Sequence, residues 1–343
     1  MTCPQPNGAP PTHQGARRVD YPRRVRSRVD PFVVLLLSAA VLASFFPATG
    51  VAFETLQVVV VVAIGLLFFL YGTRLSTAET VAGLRNWRLQ LVLLLTTFAV
   101  FPLLGLAVGL VPEQVLEPGL AAGVLLVCLV PSTIQGCVVF TRIAGGNTAA
   151  AVVSASLSNL VGVFLTPALV ALLMTADAEV DASAVLRIVA QLLAPFVLGQ
   201  LLRRWVGGWV ARHDPSLRVF DRSTIVLVVV LAFSEGAEAD VWSSVDVLDV
   251  AVVIAACVAL YLAIVGWILL VGRLLRFERG DRLALLFCGS TKSLASGLPM
   301  ATVLFAGSDV ALLVLPLMFY HQLQILISGL LAARLGRSGG PAA

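Results

Sequence analysis

DRLALLFCGSTKSLASGLPMATVLFA, residues 281–306, reads as one membrane-spanning segment with a non-helical interruption in its middle. At about 1.5 Å of rise per residue, some 25 residues suffice to cross a hydrocarbon core about 30 Å thick. Gly289, Ser290, Thr291, Lys292 and Ser293 sit near its centre, with Gly297 and Pro299 close behind. Glycine and proline there free backbone groups that lipid cannot satisfy, so the broken turn has to face protein or a water-filled cavity. Lys292 lies about ten residues from either end, too deep for its stem to carry the charge to an interface. An ammonium at that depth costs about 2.5–3.5 kcal/mol on insertion scales. It is the only lysine in the chain; the other basic residues, histidines aside, are arginine. Two readings follow. The residue is structural, held by backbone carbonyls of a neighbouring helix, or it marks a transport path, as ionisable groups at this depth commonly do.

The rest of the composition agrees with a bilayer setting. The chain is 59% hydrophobic and 12% charged, with a mean hydropathy of +0.98, whereas soluble domains are about a quarter charged. The net charge of +4 does not point to nucleic acid, because the arginines sit in short loops between apolar runs. That is a topology signal. Cys128, Cys137, Cys257 and Cys288 lie inside apolar segments with neither zinc spacing nor a disulfide framework, and read as small core residues. There is no P-loop, no paired histidine motif and no nucleophile–base constellation, so enzyme chemistry and direct ATP drive are not expected. The histidines are His13, His213 and His321 alone, and no cofactor is implied.

Residues 1–30 read as a disordered basic tail ending in Arg17, Arg18, Arg23, Arg24, Arg26 and Arg28. Hydropathy then gives ten spans, at about 31–48, 55–74, 88–111, 118–141, 147–175, 184–206, 219–236, 247–273, 281–306 and 309–335. A short tail, 336–343, ends the chain. Alternate loops are basic (Arg74, Arg85 and Arg88; Arg142; Arg203, Arg204, Arg212, Arg218 and Arg222; Arg273, Arg276, Arg279 and Arg282; Arg334 and Arg337). The others carry Glu54, Glu113, Glu117, Asp177, Glu179, Asp181, Glu238, Asp240, Asp246 and Asp309, with Arg187 the basic exception. The positive-inside rule then puts both termini in the cytoplasm of an inner-membrane, multi-pass protein.

Ten spans divide as five plus five, repeat one over 31–175 and repeat two over 184–335. An odd repeat enters the bilayer upside down the second time, which is the inverted-repeat plan of secondary transporters. The fourth span of each half is interrupted, by Pro131-Ser132-Thr133-Ile134-Gln135-Gly136 and by Gly289-Ser290-Thr291-Lys292-Ser293. Paired breaks at matching positions point to a midplane binding site. Span 5 adds Ser154, Ser156, Ser158 and Asn159, with Ser154 and Ser158 on one face. Span 10 adds His321, Gln322, Gln324 and Ser328, and span 6 adds Gln191 and Pro195. Such groups also serve simply as hydrogen bonds between helices. Glu235, near the end of span 7, is a solvated loop residue or the carboxylate that meets an entering cation. The candidate binding set is Ser132, Thr133, Gln135, Ser154, Ser158, Asn159, Ser290, Thr291, Lys292, Ser293, His321 and Gln324.

LVPSTIQGCVVFTRIAGGNTAAAVVSASLSNLVGVFLTPAL, FCGSTKSLASGLP and PLMFYHQLQILISG together resemble the bile acid:sodium symporter family, in its SBF-like branch, over residues about 31–335. The resemblance implies ten helices in a panel domain (spans 1, 2, 6 and 7) and a core domain. In that core, spans 4 and 9 unwind and cross, and substrate binds in the cleft between domains. In the better-known branch a sodium ion is held by a Ser-Asn pair after the first break, span 5 hydroxyls and a span 9 glutamate. Here Gly136 and Cys137 replace the pair, and Ser154 matches one hydroxyl while Ala150 replaces another. No acidic residue lies between Arg282 and Ala306. Sodium then binds elsewhere, or Lys292 supplies its positive charge. The expectation is a secondary transporter of a small organic anion, coupled to sodium or to protons, set in the lipid bilayer and without nucleic acid as a partner. Lys292 and the half-helix N-termini would meet the anion. The alternatives are a scaffold or regulator that kept the fold, and a cation/proton antiporter, which needs an intramembrane carboxylate.

Overall fold

In the computed structural model, residues 31–74, 86–174, 182–305 and 310–337 are described. The basic tail over 1–30 and the end of the chain beyond 337 lie outside them. Among the described residues the structure is helical, with no strand. The helices are α1 (Pro31–Phe45), α2 (Gly50–Arg74), α3 (Trp87–Val108), α4 (Pro118–Leu129), α5 (Ile134–Ile143) and α6 (Thr148–Leu173). They continue with α7 (Ala182–Arg212), α8 (Asp214–Glu238), α9 (Val247–Leu274), α10 (Arg279–Ser290), α11 (Leu294–Leu304) and α12 (Val310–Arg337). Polar residues set several starts. Glu117 accepts from the Leu120 N–H at 2.8 Å ahead of Pro118, and Asn147 Oδ1 accepts from the Ala150 N–H at 3.0 Å. Asp246 and Asp249 form a capping box at the head of α9, each satisfying a backbone N–H that the first turn leaves free.

Five of these helices, α2, α3, α6, α9 and α12, are long and apolar enough to cross a bilayer. The α4–α5 pair, bent by 63° at its break, is apolar enough to count as a sixth if it forms one broken span. The chain is therefore an integral, multi-pass membrane protein. Apolar side chains on the outer faces, such as Val58 and Val62 of α2 or Leu269 and Leu270 of α9, are exposed, as lipid contact requires.

Two sets of helices pack internally. α1, α2, α7 and α8 pack on one another, while α3–α6 and α9–α12 form the other set. The α2–α7 contact is unusually close. A Cβ at Gly72 would lie 2.1 Å from the Phe196 carbonyl oxygen, and one at Gly199 would lie 2.1 Å from that of Phe69. Without a hydrophobic drive between lipid-bathed helices, such reciprocal small residues let backbones touch and gain dispersion contact. α8 and α7 then meet α11, joining the two sets.

Both interruptions are present, and each is shorter than the sequence suggests. The first covers Val130–Thr133, with Gln135 and Gly136 already inside α5. The second covers Thr291–Ser293, with Gly289 and Ser290 still inside α10. Gly289 is there for closeness instead of for a break: a Cβ would meet Ile268 Cδ1 at 2.8 Å. Where they cross, the Ser293 N–H donates to the Pro131 carbonyl at 2.8 Å.

Candidate functional site

Each break leaves backbone groups that only protein can satisfy, and the following span supplies the partners. At the first break, the Ser132 N–H donates to Ser158 Oγ at 3.1 Å, and the Ser132 carbonyl accepts from Asn159 Nδ2 at 2.7 Å. At the second, the Lys292 N–H donates to Gln324 Oε1 at 2.6 Å, and its carbonyl accepts from Gln324 Nε2 at 2.8 Å. Ser132 and Lys292 are thus equivalent positions in their breaks, each with its N–H and C=O bonded to polar groups of the next span. Gln324 Nε2 also contacts His321 Nδ1 at 2.9 Å. Ser132 Oγ donates to the Cys288 carbonyl at 2.6 Å, and Tyr320 Oη to that of Ser290 at 2.9 Å. Ser290 Oγ and Thr291 Oγ1 turn back onto their own helix, to the Leu286 and Phe287 carbonyls.

Lys292 corrects the expectation of a cleft-facing charge. Its side chain is fully buried, and Nζ donates to the carbonyls of Thr97 (3.2 Å), Cys128 (3.0 Å) and Val130 (2.9 Å). All three ammonium protons therefore have partners. Nζ also lies 3.9 Å from the centroid of the Phe101 ring, a cation–π distance. The carbonyls are free for a readable reason. Cys128 and Val130 sit where α4 ends. Residues 96–100 of α3 form a π turn, in which the Phe101 N–H reaches the Thr96 carbonyl. The next residue, Pro102, has no N–H to give, so the Thr97 carbonyl lacks its helical donor.

The cavity lies beside the crossing, on its α2–α8 side. It has a volume of about 310 Å³ and is lined by Phe68, Tyr71, Arg74, Pro131, Thr133, Ile134, Gln135, Ser156, Asn159, Leu160, Val163, Phe196, Asp214, Arg218, Asp221, Ser293, Ser296 and Met300. Of the residues the sequence proposed, Thr133, Gln135, Asn159 and Ser293 line it. Ser132, Ser154, Ser158, Ser290, Thr291, Lys292, His321 and Gln324 do not, because most of their polar atoms are engaged in holding the breaks. Ser154 is buried elsewhere in α6. Glu235 sits half-buried in the last turn of α8, away from the cavity lining.

Sequence reading passed over the charged end of this cavity. Arg74 Nη1 donates to Asp221 Oδ2 at 2.6 Å, and Arg74 Nε lies 3.8 Å from Asp214 Oδ1. Arg218 pairs with Asp214 on its own helix. Tyr71, one turn before Arg74, donates to the Ala295 carbonyl at 3.4 Å. Three atoms of the Arg74–Asp221 pair, Arg74 Nε and Nη2 and Asp221 Oδ1, are buried without a hydrogen-bond partner. So is Ser296 Oγ on the opposite wall. In the sequence these residues look like loop charges at span ends. The available signal was Phe68, Tyr71 and Arg74 recurring every three residues on one helix face.

Comparison with known proteins gives a consistent picture. Residues 30–337 match the SBF-like CPA transporter family. An uncharacterized protein of Pseudomonas aeruginosa is 45% identical over 323 residues, 93% of this chain and 97% of its own length. YfeH of Escherichia coli, provisionally named a symporter, is 42% identical over 90% of this chain and 93% of its own length. The mouse protein named sodium/bile acid cotransporter 7 is 28% identical over 89% of this chain and 92% of its own length.

Proposed function

The chain belongs to the SBF-like CPA transporter family, and on that premise we propose that it is a secondary active transporter that moves a small organic anion by alternating access. The observation that carries the reading is the cavity where the two crossing helix breaks meet a second set of helices. The two packed sets correspond to a panel (α1, α2, α7, α8) and a core, in a ten-span plan of inverted five-span repeats. The matched backbone satisfaction at Ser132 and Lys292 supports that internal symmetry. With the arginine-rich ends cytoplasmic, as both termini would be, the Arg74 end of the cavity faces the cell interior.

The lining fits a compact amphipathic ligand. Phe68, Leu160, Val163, Phe196 and Met300 take an apolar body, and Thr133, Gln135, Asn159 and Ser296 take polar groups. A volume of about 310 Å³ is at the small end of ligand pockets. Lys292 acts here as a tethered cation held by carbonyls, so a coupling sodium or proton binds elsewhere. Asp214 and Asp221 are the carboxylates that face the cavity. Those same carboxylates, at the charged end of the cavity, favour a second reading, cation/proton exchange without an organic substrate, because a cavity-facing carboxylate can carry a cation or a proton.

Reconstituted proteoliposomes given a mixture of small carboxylates and sulfonates, under separate inward sodium and proton gradients, test the proposal. Accumulation of at least one anion above protein-free vesicles, driven by one gradient, is expected. Accumulation indifferent to both gradients removes active symport. Sodium-driven proton movement with no anion uptake moves the assignment to the antiporter.

A further inference from the structure

Resting on the transporter reading, we propose that the Arg74–Asp221 ion pair couples the two substrates: an incoming anion takes Arg74, and the released Asp221 carboxylate takes a cation, sodium or a proton. The pair is internally incomplete. Asp221 occupies Nη1 of the guanidinium at 2.6 Å, while Nε and Nη2 are buried at the cavity wall with no hydrogen-bond partner. Guanidinium recognises a carboxylate or sulfonate through two parallel N–H donors, and Nε with Nη2 is one such edge. That edge is buried beside the cavity with Nε 3.8 Å from Asp214 Oδ1, so an incoming anion takes it by displacing that carboxylate. Across from the edge, Ser296 Oγ, on a residue only 3% exposed, also lacks a partner. Tyr71 spans the two sides by its bond to Ala295. An anionic head on Arg74 with a polar contact at Ser296 would satisfy these orphaned atoms together.

The linkage follows from charge. Arg74 and Arg218 offset Asp214 and Asp221, so the lining is neutral with the cavity unfilled. An anion added to this half-buried site leaves one negative charge in excess, and the low effective dielectric makes that costly. Neutralising Asp221 with a cation restores balance, so each ligand raises the affinity for the other by the same factor. The ionisable groups facing Asp221 are Tyr71 and Arg74 on α2, and Asp214 and Arg218 on its own helix. α6, α7 and α11 present polar or apolar side chains to this cavity and no charge. Asp214, already paired with Arg218, is the less available acceptor.

Benzenesulfonate is the probe, because it stays ionised and any pH effect then belongs to the protein. Its affinity for purified wild-type protein in detergent is measured by calorimetry at pH 5.5 and 8.0, in sodium and in choline buffers. Binding about tenfold tighter at low pH, or with sodium, is expected, within the usual range for coupled sites; the two arms separate the proton from sodium. Arg74→Gln should weaken binding by at least about tenfold. Asp221→Asn, which frees Arg74 and removes the cation acceptor, should bind more tightly and lose the cation dependence. A pair that is only structural predicts instead that both variants lose stability and neither changes cation dependence. Absent binding by wild type, wild-type affinity in Arg74→Gln, or retained cation dependence in Asp221→Asn each overturns the proposal. Should either variant fail to fold, wild type alone decides: titration in buffers of different ionisation enthalpy gives protons taken up per anion, and the sodium arm gives the rest. Neither proton uptake nor sodium dependence overturns it. Binding without uptake into proteoliposomes would instead sink the transporter reading and leave this site intact.

Discussion

An ammonium in the middle of a bilayer protein persists only if every proton has a partner, and Lys292 meets that condition with the Thr97, Cys128 and Val130 carbonyls. Depth and solitude made this residue conspicuous in the sequence. What they could not reveal is its direction, since the three acceptors come from α3 and the end of α4, over 160 positions away in the chain. Lys292→Met keeps the stem and removes the donors. Each buried carbonyl left unsatisfied costs about 1–3 kcal/mol, so the variant should lose about 3 kcal/mol or more in reversible unfolding in detergent. Its benzenesulfonate affinity should stay within about twofold of wild type if it folds, because the ammonium does not face the cavity, and a twofold change is under 0.5 kcal/mol. A variant as stable as wild type, with collapsed affinity, would return Lys292 to the binding site.

At the scale of elements, the breaks were legible and their lengths were not. Glycine stands at both, but Gly136 and Gly289 continue helices, and at Gly289 the residue serves close approach to Ile268 instead. The same ambiguity hid the α2–α7 contact, where Gly72 and Gly199 look like ordinary membrane glycines. Geometry separates them from their neighbours. Adding a methyl at Gly199 puts it against the Phe69 carbonyl oxygen, whereas Gly208, on the same helix, has nothing within 4 Å. Gly199→Ala should therefore destabilise by about 1–3 kcal/mol, the usual cost of overpacking, and Gly208→Ala should be neutral or slightly stabilising, as alanine favours helix. Thermal unfolding of the pair checks this. Because Phe196 lines the cavity from α7, displacement at Gly199 should also weaken anion binding. Equal melting temperatures for the two variants would refute the close-contact argument.

For the molecule as a whole, hydropathy and paired interruptions were enough to reach a membrane transporter, because they are set by lipid thickness and backbone satisfaction. The site was only half legible. Thr133, Gln135, Asn159 and Ser293 line the cavity, but Arg74, Asp214, Arg218 and Asp221 read as loop charges. Burial of a span end beneath other helices is a tertiary fact. Asp221 in particular, flanked by Arg218 and Arg222, is invisible to any count of net loop charge. The central claim is that this cavity is a passage which opens to each side in turn, and accessibility tests it without knowing the substrate. Gln135 is exposed within the cavity wall, and the described native cysteines are buried. A Gln135→Cys protein that also carries Cys3→Ser, in vesicles of defined orientation, is treated with a membrane-impermeant maleimide from one side or the other. Alternating access predicts labelling from both sides, with the balance shifted by benzenesulfonate and by the coupling cation. Labelling from one side only, unchanged by anion, sodium or pH, would mean a fixed pocket and contradict the account.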